Sequence, residues 1–261
     1  MRFENKVALV TGSGAGIGKC IALSLAEAGA NVVVNDVNED AASAVVDRIT
    51  SLGREALMVA ADVSSEDQVR GMVEQSIAAF GRIDFLINNA GVSDQMVPTL
   101  EQSVQRWQQV FDIHLRGCYL CSKEVGRYMV EQRYGKIVNV ASVVGMGGAP
   151  TRTAYGPAKA GIIMLTQNLA IEWACYNVNV NAVSPGYILT DMVQQAIASG
   201  RVDDKTIIRR TPMGRLGNTE EIAQPVLFLL SDAASFINGA NLPVDGGWTA
   251  YGSFGDAHAM Y

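Results

Sequence analysis

The residues of this sequence best suited to acid–base chemistry are Tyr155 and Lys159, in the run YGPAK (155–159). On a helix, residues four apart lie on one face, a turn from each other. An ammonium group beside a phenol stabilises the phenolate, and lowering a phenol pKa from about 10 to about 7 requires ~4 kcal/mol. Tyr155 could then act as a general base toward an alcohol. Ser142, 13 residues earlier, ends a predicted strand and could hold the substrate oxygen by a hydrogen bond.

A glycine-rich turn follows the first predicted strand, in the run TGSGAGIG (11–18). The run lacks the Walker pattern, because a cysteine stands where that pattern requires Ser or Thr, and Ile17 breaks a strict GxGxxG. Gly12, Gly16 and Gly18 form GxxxGxG, whose glycines would let the backbone approach a pyrophosphate at a helix N-terminus. An ordinary tight turn between a strand and a helix is the alternative.

Asp36 ends the second predicted strand, 24 residues after Gly12. A carboxylate there can accept hydrogen bonds from both ribose hydroxyls of an adenosine and would repel a 2′-phosphate. Neither Ala15 nor Val37 supplies the cation that a 2′-phosphate needs, so Asp36 favours NAD over NADP. A surface acid at the start of a loop is the alternative. Asp62, at the end of the third predicted strand, could meet the adenine amino group.

Short apolar runs alternate with helical patterns along the chain, and the runs are rich in Val, Ile and Leu with little alternation. Such strands are buried on both faces, as in a parallel sheet with helices on both sides. The predicted strands are 7–12, 31–36, 56–62, 84–91, 136–142, 178–186 and 239–247, and the predicted helices are 16–28, 39–52, 65–80, 101–132, 154–175 and 219–231. These β units predict a single doubly wound, Rossmann-like α/β domain over 1–261.

The composition excludes several classes of protein. The 261 residues carry a net charge of −6, with 18% charged and 49% apolar residues. A chain this apolar is not disordered, and one this acidic lacks the basic face of a general nucleic-acid binder. No apolar run approaches the ~18 residues that span a bilayer. Because the first residues do not resemble a secretory signal either, a cytoplasmic protein is expected.

Four cysteines without regular spacing do not form a disulfide framework, which favours a reducing compartment. Cys118 and Cys121 form a CxxC, which could be a redox or zinc pair. They lie in FDIHLRGCYLCSKEVGRYMV (111–130), a pattern typical of a buried helix, and the sequence has no second ligand pair. Buried core cysteines, without a metal site, are the preferred interpretation.

Two segments fall outside the alternation of strands and helices. Residues 187–216 are polar and punctuated by glycine, and a long excursion at this place predicts a substrate lid. The C-terminal tail, 248–261, is aromatic and nearly uncharged. Either the tail docks on the protein's own surface, or it packs near a substrate pocket or a neighbouring subunit. His258 lies in this tail, and nothing in the sequence gives it a partner.

Together these motifs resemble the short-chain dehydrogenases/reductases, from Lys6 to about Gly247. The matching motifs are TGSGAGIG (11–18), Asp36, Asp62-Val63, NNAG (88–91), Ser142, YGPAK (155–159), NAVSPG (181–186) and PVDGG (243–247). The resemblance implies a Rossmann-like fold with a seven-stranded parallel sheet, NAD(P)-dependent oxidoreduction and, often, a homotetramer.

The resemblance also implies roles for individual residues. Tyr155 would be the acid/base, Lys159 would bind the nicotinamide ribose and lower the tyrosine pKa, and Ser142 would position the substrate. The expected cofactor-binding residues are Gly12, Ser13, Gly16, Ile17, Gly18, Asp36, Asp62, Val63, Asn89, Ala90, Gly91, Tyr155, Lys159, Pro185, Gly186, Ile188 and Thr190. The expected substrate contacts are Ser142, Val144, Met146, Arg152, Tyr155 and Tyr187.

One catalytic position departs from the family, because His114 stands where the long central helix usually carries an asparagine. That asparagine is thought to hold a water that connects the lysine to a proton relay. An imidazole can also donate and accept, but it is larger and titrates near neutral pH. Either backbone and water still carry the relay, or His114 joins it as a further catalytic residue.

The sequence therefore predicts an NAD-dependent dehydrogenase of a secondary alcohol, with a small polyol, sugar or hydroxy compound as substrate. A 3-oxoacyl thioester reductase is one alternative, although Asp36 counts against the NADPH that such reductions usually use. A non-catalytic NAD-sensing or scaffold protein is another, although Tyr155 and Lys159 are both present. A homotetramer is expected from apolar residues on two helices, namely Cys118, Leu120, Cys121, Ile163, Leu165 and Trp173.

Overall fold

The computed structural model describes residues 1–200, 202–253 and 256–257, and its strands form one parallel sheet. The strands are β1 (Val7–Thr11), β2 (Asn31–Asp36), β3 (Ala56–Ala60), β4 (Phe85–Asn88), β5 (Gly135–Val140), β6 (Val178–Pro185) and β7 (Asn241–Val244). Their order is β3-β2-β1-β4-β5-β6-β7, and every neighbouring pair is parallel. The order reverses between β1 and β4, which is where open α/β sheets bind ligands. The predicted fold class is confirmed.

Helices cover both faces of the sheet. They are α1 (Gly16–Glu27), α2 (Glu39–Ser51), α3 (Glu66–Phe80), α4 (Val104–Phe111), α5 (Gly117–Gln132), α6 (Tyr155–Trp173), α7 (Asp191–Ala198), α8 (Asp204–Arg210) and α9 (Thr219–Leu230). Single 3₁₀ turns lie at Thr99–Glu101, Val143–Gly145, Ala174–Tyr176 and Asp232–Ala234. Helices α1, α2 and α9 pack on one face and α3, α5 and α6 on the other, so successive β1 residues point into different cores.

The long helix predicted over 101–132 is wrong in two respects. It begins at Val104, because the Ser103 hydroxyl accepts a hydrogen bond from the Arg106 amide and ends the preceding turn. It is also interrupted by a π-helical turn, Asp112–Arg116, between α4 and α5. Such a turn carries an extra residue in its hydrogen-bonded ring and commonly marks a functional site. Here it contains His114.

The last strand also differs from the prediction of burial on both faces. β7 is the edge of the sheet, and its Leu242 and Pro243 side chains are exposed.

The predicted lid, 187–216, contains α7 and α8 rather than irregular chain, because Thr190 and Asp203 cap their N-termini. No helix among the residues described is long and apolar enough to cross a membrane.

The apolar residues expected at a subunit interface are mostly core residues of their own chain. Cys118, Leu120 and Cys121 are buried, while Ile163, Leu165 and Trp173 are partly buried against the same clusters. The apolar side chains that α5 and α6 leave exposed are instead Tyr119, Met164 and Ile171.

Candidate active site

The glycine turn after β1 is fastened to the end of β4. The Asn89 side-chain amide donates to the carbonyl oxygens of Thr11 and Gly12, at 3.0 and 2.9 Å. A Cβ at Gly18 would collide with this amide and with the Gly12 carbonyl oxygen, so the close approach of helix and strand requires glycine here. Ser13 is buried and its hydroxyl donates to the Val10 carbonyl. Asn89, expected to bind the cofactor, uses its amide to hold the turn.

The N-terminus of α1 fits an anion. Helices α2 and α3 begin with side-chain caps, Asn38 and Ser65, and with acidic first turns. Helix α1 has no side-chain cap and no acid in its first turn, which contains Ile17. Its first backbone N–H groups are therefore available at the positive end of the helix dipole, as a pyrophosphate requires.

The predicted adenosine side of the site lies at the ends of β2 and β3. The Asp36 carboxylate accepts hydrogen bonds from the backbone amides of Gly14 and Asn38, at 2.9 and 3.0 Å. Asp62 accepts from both the amide and the hydroxyl of Ser64. The Val63 side chain is buried in the core, which leaves only its backbone to meet a ligand.

The predicted acid–base group converges at the end of β5. Tyr155 begins α6, and the Lys159 Nζ atom lies one turn on, 5.5 Å from the tyrosine ring centroid. Ser142 ends the same strand region, and its hydroxyl hydrogen-bonds to Tyr155. Lys159 is buried and donates to the Val140 carbonyl at 2.7 Å. The spacing in the sequence therefore brings Ser142, Tyr155 and Lys159 together.

The ionisation of these groups is governed by burial. Burial raises the pKa of Tyr155, while the hydrogen bond from Ser142 and the charge of Arg152 oppose part of that rise. Burial lowers the pKa of Lys159 to about 8. Burial therefore favours the neutral phenol over the phenolate and the neutral amine over the ammonium.

His114 is packed between Gly91 and Tyr155. Its Nε2 atom lies 3.0 Å from the Val92 amide nitrogen and 2.8 Å from the Val92 carbonyl oxygen. The ring meets the Tyr155 ring edge-on, with centroids 5.1 Å apart. A Cβ at Gly91 would collide with the imidazole, so glycine at this position makes room for the histidine. Burial, followed by the nearby Lys159 charge, lowers the pKa of His114 to about 3.

A neutral histidine bound to Val92 favours positioning over proton transfer. The His114 Nδ1 atom is buried without a partner among the described residues, as is Asn88 Oδ1. Both residues line a small cavity beneath the π-helical turn, with room for about one water molecule. The arrangement therefore favours the first of the two hypotheses, in which backbone and water carry the relay.

The predicted nicotinamide side of the site lies after β6. Gly186 donates to the Val244 carbonyl, and Pro185 and Ile188 are buried. Thr190 caps α7, and its side chain lies against Gly16 of the glycine turn. Ala90 and Gly91 follow β4, which lies on the same side of the switch point as β6. The residues expected to bind the cofactor thus border one continuous edge of the sheet.

The lid and the tail are joined by aromatic contacts. Tyr187 and Trp248 have ring centroids 4.8 Å apart. The Arg210 guanidinium, at the end of α8, lies 5.1 Å from the Trp248 ring and 5.5 Å from the Tyr251 ring. Residues 248–253 of the tail therefore pack on the predicted lid of the same chain, which is the first of the two alternatives for the tail. His258 lies outside the described residues.

The substrate side contains a pair that the sequence reasoning missed. The Arg152 Nη1 atom lies 2.6 Å from the Asp94 Oδ1 atom, and its guanidinium lies 5.6 Å from the Tyr155 ring centroid. Asp94 sits in a loop without periodic pattern, 58 residues from its partner, so no sequence signal joins the two. Val144 lies in the turn after Ser142, and Met146 is partly exposed.

The cysteine pair has the environment of core thiols. Cys118 and Cys121 are buried in α5, and burial raises the pKa of Cys118 to about 12 and also raises that of Cys121. Thiols so hard to ionise are poor nucleophiles and poor metal ligands. Among the described residues, no three His, Cys, Asp or Glu side chains are grouped to hold a metal.

The fold and this site are those of a nicotinamide-dependent oxidoreductase, and sequence comparison agrees. Residues 12–249 match the family model described as Enoyl-(Acyl carrier protein) reductase. The chain is 43% identical to a cis-4-hydroxycyclohexanecarboxylate dehydrogenase of Sinomonas cyclohexanicum, over 95% of this chain and 98% of the relative. It is 39% identical to a 3-oxoacyl-[acyl-carrier-protein] reductase of Thermotoga maritima, over 95% and 99%.

Solved structures give the same result. The crystal structure of an NAD⁺-bound xylitol dehydrogenase superposes with a TM-score of 0.90 and 38% identity, covering 95% of this chain and 100% of the other. The chain belongs to the short-chain dehydrogenase/reductase family. It is an oxidoreductase acting on CH–OH groups.

The low pKa of His114 predicts how stability depends on pH. The folded-state value is about 3 against 6.5 for the ordinary group, so between these values the unfolded chain binds a proton that the folded chain does not. Wild-type protein should lose free energy of unfolding relative to His114→Asn as the pH falls below 6.5, by ~1–2 kcal/mol at pH 5. Urea unfolding of both proteins at pH 7.5 and 5 measures the difference.

The same variant separates the two hypotheses for His114 in catalysis. A histidine that stays neutral leaves the pH–rate profile unchanged when it becomes asparagine. A limb of the wild-type profile that disappears in His114→Asn would instead show that His114 titrates during turnover.

Proposed function

We propose that this protein is an NAD-dependent dehydrogenase of a secondary alcohol, with a small polyol, sugar or hydroxy compound as substrate. The observation that carries the proposal is the convergence of Ser142, Tyr155 and Lys159 at the end of β5, on the edge of the sheet from which the uncapped α1 also starts. This arrangement supports an acid–base group that works with a cofactor whose pyrophosphate binds at that helix N-terminus. The named activities of the Sinomonas cyclohexanicum relative and of the xylitol dehydrogenase support the same class of substrate.

In the proposed mechanism Tyr155 accepts the proton of the substrate hydroxyl. The Ser142 hydroxyl, which hydrogen-bonds to Tyr155, donates its one proton to the substrate oxygen in this mechanism and so holds that oxygen beside the phenol. Lys159 contributes a positive charge near the tyrosine and, by the family resemblance, binds the nicotinamide ribose. NAD, when bound, supplies the hydride acceptor. The residues proposed to hold it are the 17 of the sequence prediction, with Asn89 acting through the turn that it fastens.

The preference for NAD is supported by the surroundings of Asp36. Its carboxylate lies beside the glycine turn, bound to the Gly14 amide, and its neighbour Val37 is exposed and uncharged. A 2′-phosphate would therefore meet a negative charge without a compensating cation at positions 15 or 37.

A 3-oxoacyl thioester reductase is kept as a second candidate function. The match to the Enoyl-(Acyl carrier protein) reductase model and the Thermotoga maritima relative favour it, whereas Asp36 opposes NADPH. A non-catalytic NAD-sensing protein would not need the buried Lys159 beside Tyr155, since that amine is held against the cost of its own burial.

The proposed acid–base role predicts the effect of removing the tyrosine hydroxyl. Tyr155→Phe should lower NAD reduction by ~10³-fold or more, in line with the loss of a general base. The assay is the absorbance of NADH with cyclic secondary alcohols, polyols and hydroxy acids, and with NADPH oxidation by an acetoacetyl thioester as comparison. Comparable turnover in Tyr155→Phe would contradict the mechanism. Turnover of the thioester alone would select the reductase, and NAD binding without any turnover would select the sensor.

The proposed cofactor preference predicts a switch. The double variant Asp36→Ala, Val37→Arg removes the negative charge and adds a cation, so the ratio of kcat/KM for NAD to that for NADP should fall by ~10²-fold. Asp36→Asn is the matched control, because it keeps the shape of the side chain and removes only its charge. A wild-type enzyme that already prefers NADP would contradict the assignment.

The proposed homotetramer predicts the solution mass. Tyr119, Met164 and Ile171 expose apolar surface on α5 and α6, which a second copy would cover. Light scattering at micromolar concentration should give four times 27.8 kDa, and Met164→Glu with Ile171→Glu should reduce it. A wild-type mass equal to one chain would rule out the tetramer.

A further inference from the structure

The ion pair beside Tyr155 is built in a way that leaves one partner able to bind a ligand. The Asp94 side chain is fully buried, whereas 22% of the Arg152 side chain remains exposed. The two are joined by a single contact, Arg152 Nη1 to Asp94 Oδ1, at 2.6 Å. Asp94 Oδ2 is buried without a partner among the described residues, so the usual two-pronged pairing of arginine with a carboxylate is absent.

Stability does not account for this pair. The Asp94 side chain is fully buried, and the chain on either side of the pair, at Val92 and Ala154, packs in an apolar cluster at the start of α6. Replacing a buried ion pair in such a setting by apolar groups is often neutral or stabilising. The ion pair is therefore better explained by a binding role, in which buried Asp94 holds Arg152 so that the exposed side of the guanidinium can bind a ligand.

The guanidinium lies close enough to Tyr155 for its ligand to be the substrate itself. Its carbon lies 5.6 Å from the Tyr155 ring centroid, so one small molecule can touch both groups. Arginine carries five N–H donors in a planar fork, and the contact with Asp94 occupies one nitrogen. The remaining donors match the two oxygens of a carboxylate.

The charges around the site favour an anion over a neutral polyol. Arg152 and Lys159 carry positive charge, Asp94 carries negative charge, and His114 is neutral because burial lowers its pKa to about 3. Near neutral pH the groups around Tyr155 sum to a net positive charge. A neutral hydroxyl would use a donor of Arg152 but would leave this charge uncompensated.

We propose that Arg152 binds a carboxylate of the substrate, so that the preferred substrates are hydroxy acids, with Asp94 as the positioning residue for Arg152. This inference rests on the proposed function of the site, because it assigns the substrate class of the same dehydrogenase.

The test compares hydroxy acids with their primary amides, which have the same shape without the charge. The probes are 3-hydroxybutyrate, 3-hydroxycyclohexanecarboxylate and the amide of each, with NADH formation as the readout. Wild-type enzyme should prefer an acid over its amide by ~10-fold or more in kcat/KM. In Arg152→Gln both probes should lose kcat, because the Arg152 charge no longer opposes the rise of the Tyr155 pKa, but KM should also rise for the acid, so that the ratio of kcat/KM for the acid to that for the amide falls ~10-fold or more. Arg152→Lys should restore part of the preference, since it keeps the charge without the fork.

A second variant guards against misfolding. Arg152→Gln leaves Asp94 buried without its cation, whereas Asp94→Asn combined with Arg152→Gln replaces the ion pair by a neutral pair. The double variant should fold and show no preference for acids. Equal ratios of acid to amide in wild type and in the double variant would overturn the role of Arg152 while leaving the dehydrogenase intact. Absence of turnover with every acid, amide and neutral alcohol would instead overturn the proposed function, and the inference with it.

Discussion

The site depends on the hydrogen bonds that join the end of β1 to the end of β4. The Thr11 hydroxyl donates to the Ile87 carbonyl and accepts from the amides of Asn89 and Ala90, at 3.0 and 3.1 Å. The Asn89 side chain returns two hydrogen bonds to the glycine turn. At the switch point the helices diverge, so the backbone N–H and C=O groups at the strand ends lack a hydrogen-bond partner in a neighbouring strand. The side chains of Thr11 and Asn89 provide those hydrogen bonds and fix the glycine turn relative to the loop after β4.

Packing contacts connect this junction to Tyr155 and so fix the position of the tyrosine relative to the glycine turn. The loop after β4 continues through Gly91 to Val92, whose backbone meets the His114 imidazole. The imidazole in turn contacts the edge of the Tyr155 ring. Gly12 in the glycine turn and Tyr155, 143 residues apart in the chain, are thus linked through a series of neighbouring contacts. The π-helical turn supplies the extra residue that brings His114 into this series.

The sequence was sufficient for the features whose signal is local. Both-face burial of the strands predicts the parallel sheet, and the spacing between Ser142, Tyr155 and Lys159 is preserved because a strand end and one helical turn fix it. Features decided by distant packing could not be predicted. The Asp94–Arg152 pair joins a loop to α6, and the π-helical turn interrupts a helix whose periodicity looks continuous. The sequence of β7 resembles that of an inner strand. Its side chains are exposed because β7 is the edge strand, and the sequence does not give the strand order.

The segment after β6 and the segment after β7 are held together by contacts to α8. Arg210 lies over Trp248 and Tyr251, Arg209 pairs with Asp256 at 3.5 Å, and the Ala257 amide donates to the Arg209 carbonyl at 2.7 Å. Two exposed cation–π contacts contribute ~1–2 kcal/mol together. In the described part of the chain, the residues after β7 are thus fastened to α8, which follows β6. Loss of the Trp248 ring would therefore loosen the packing of α8, although the two are far apart in sequence.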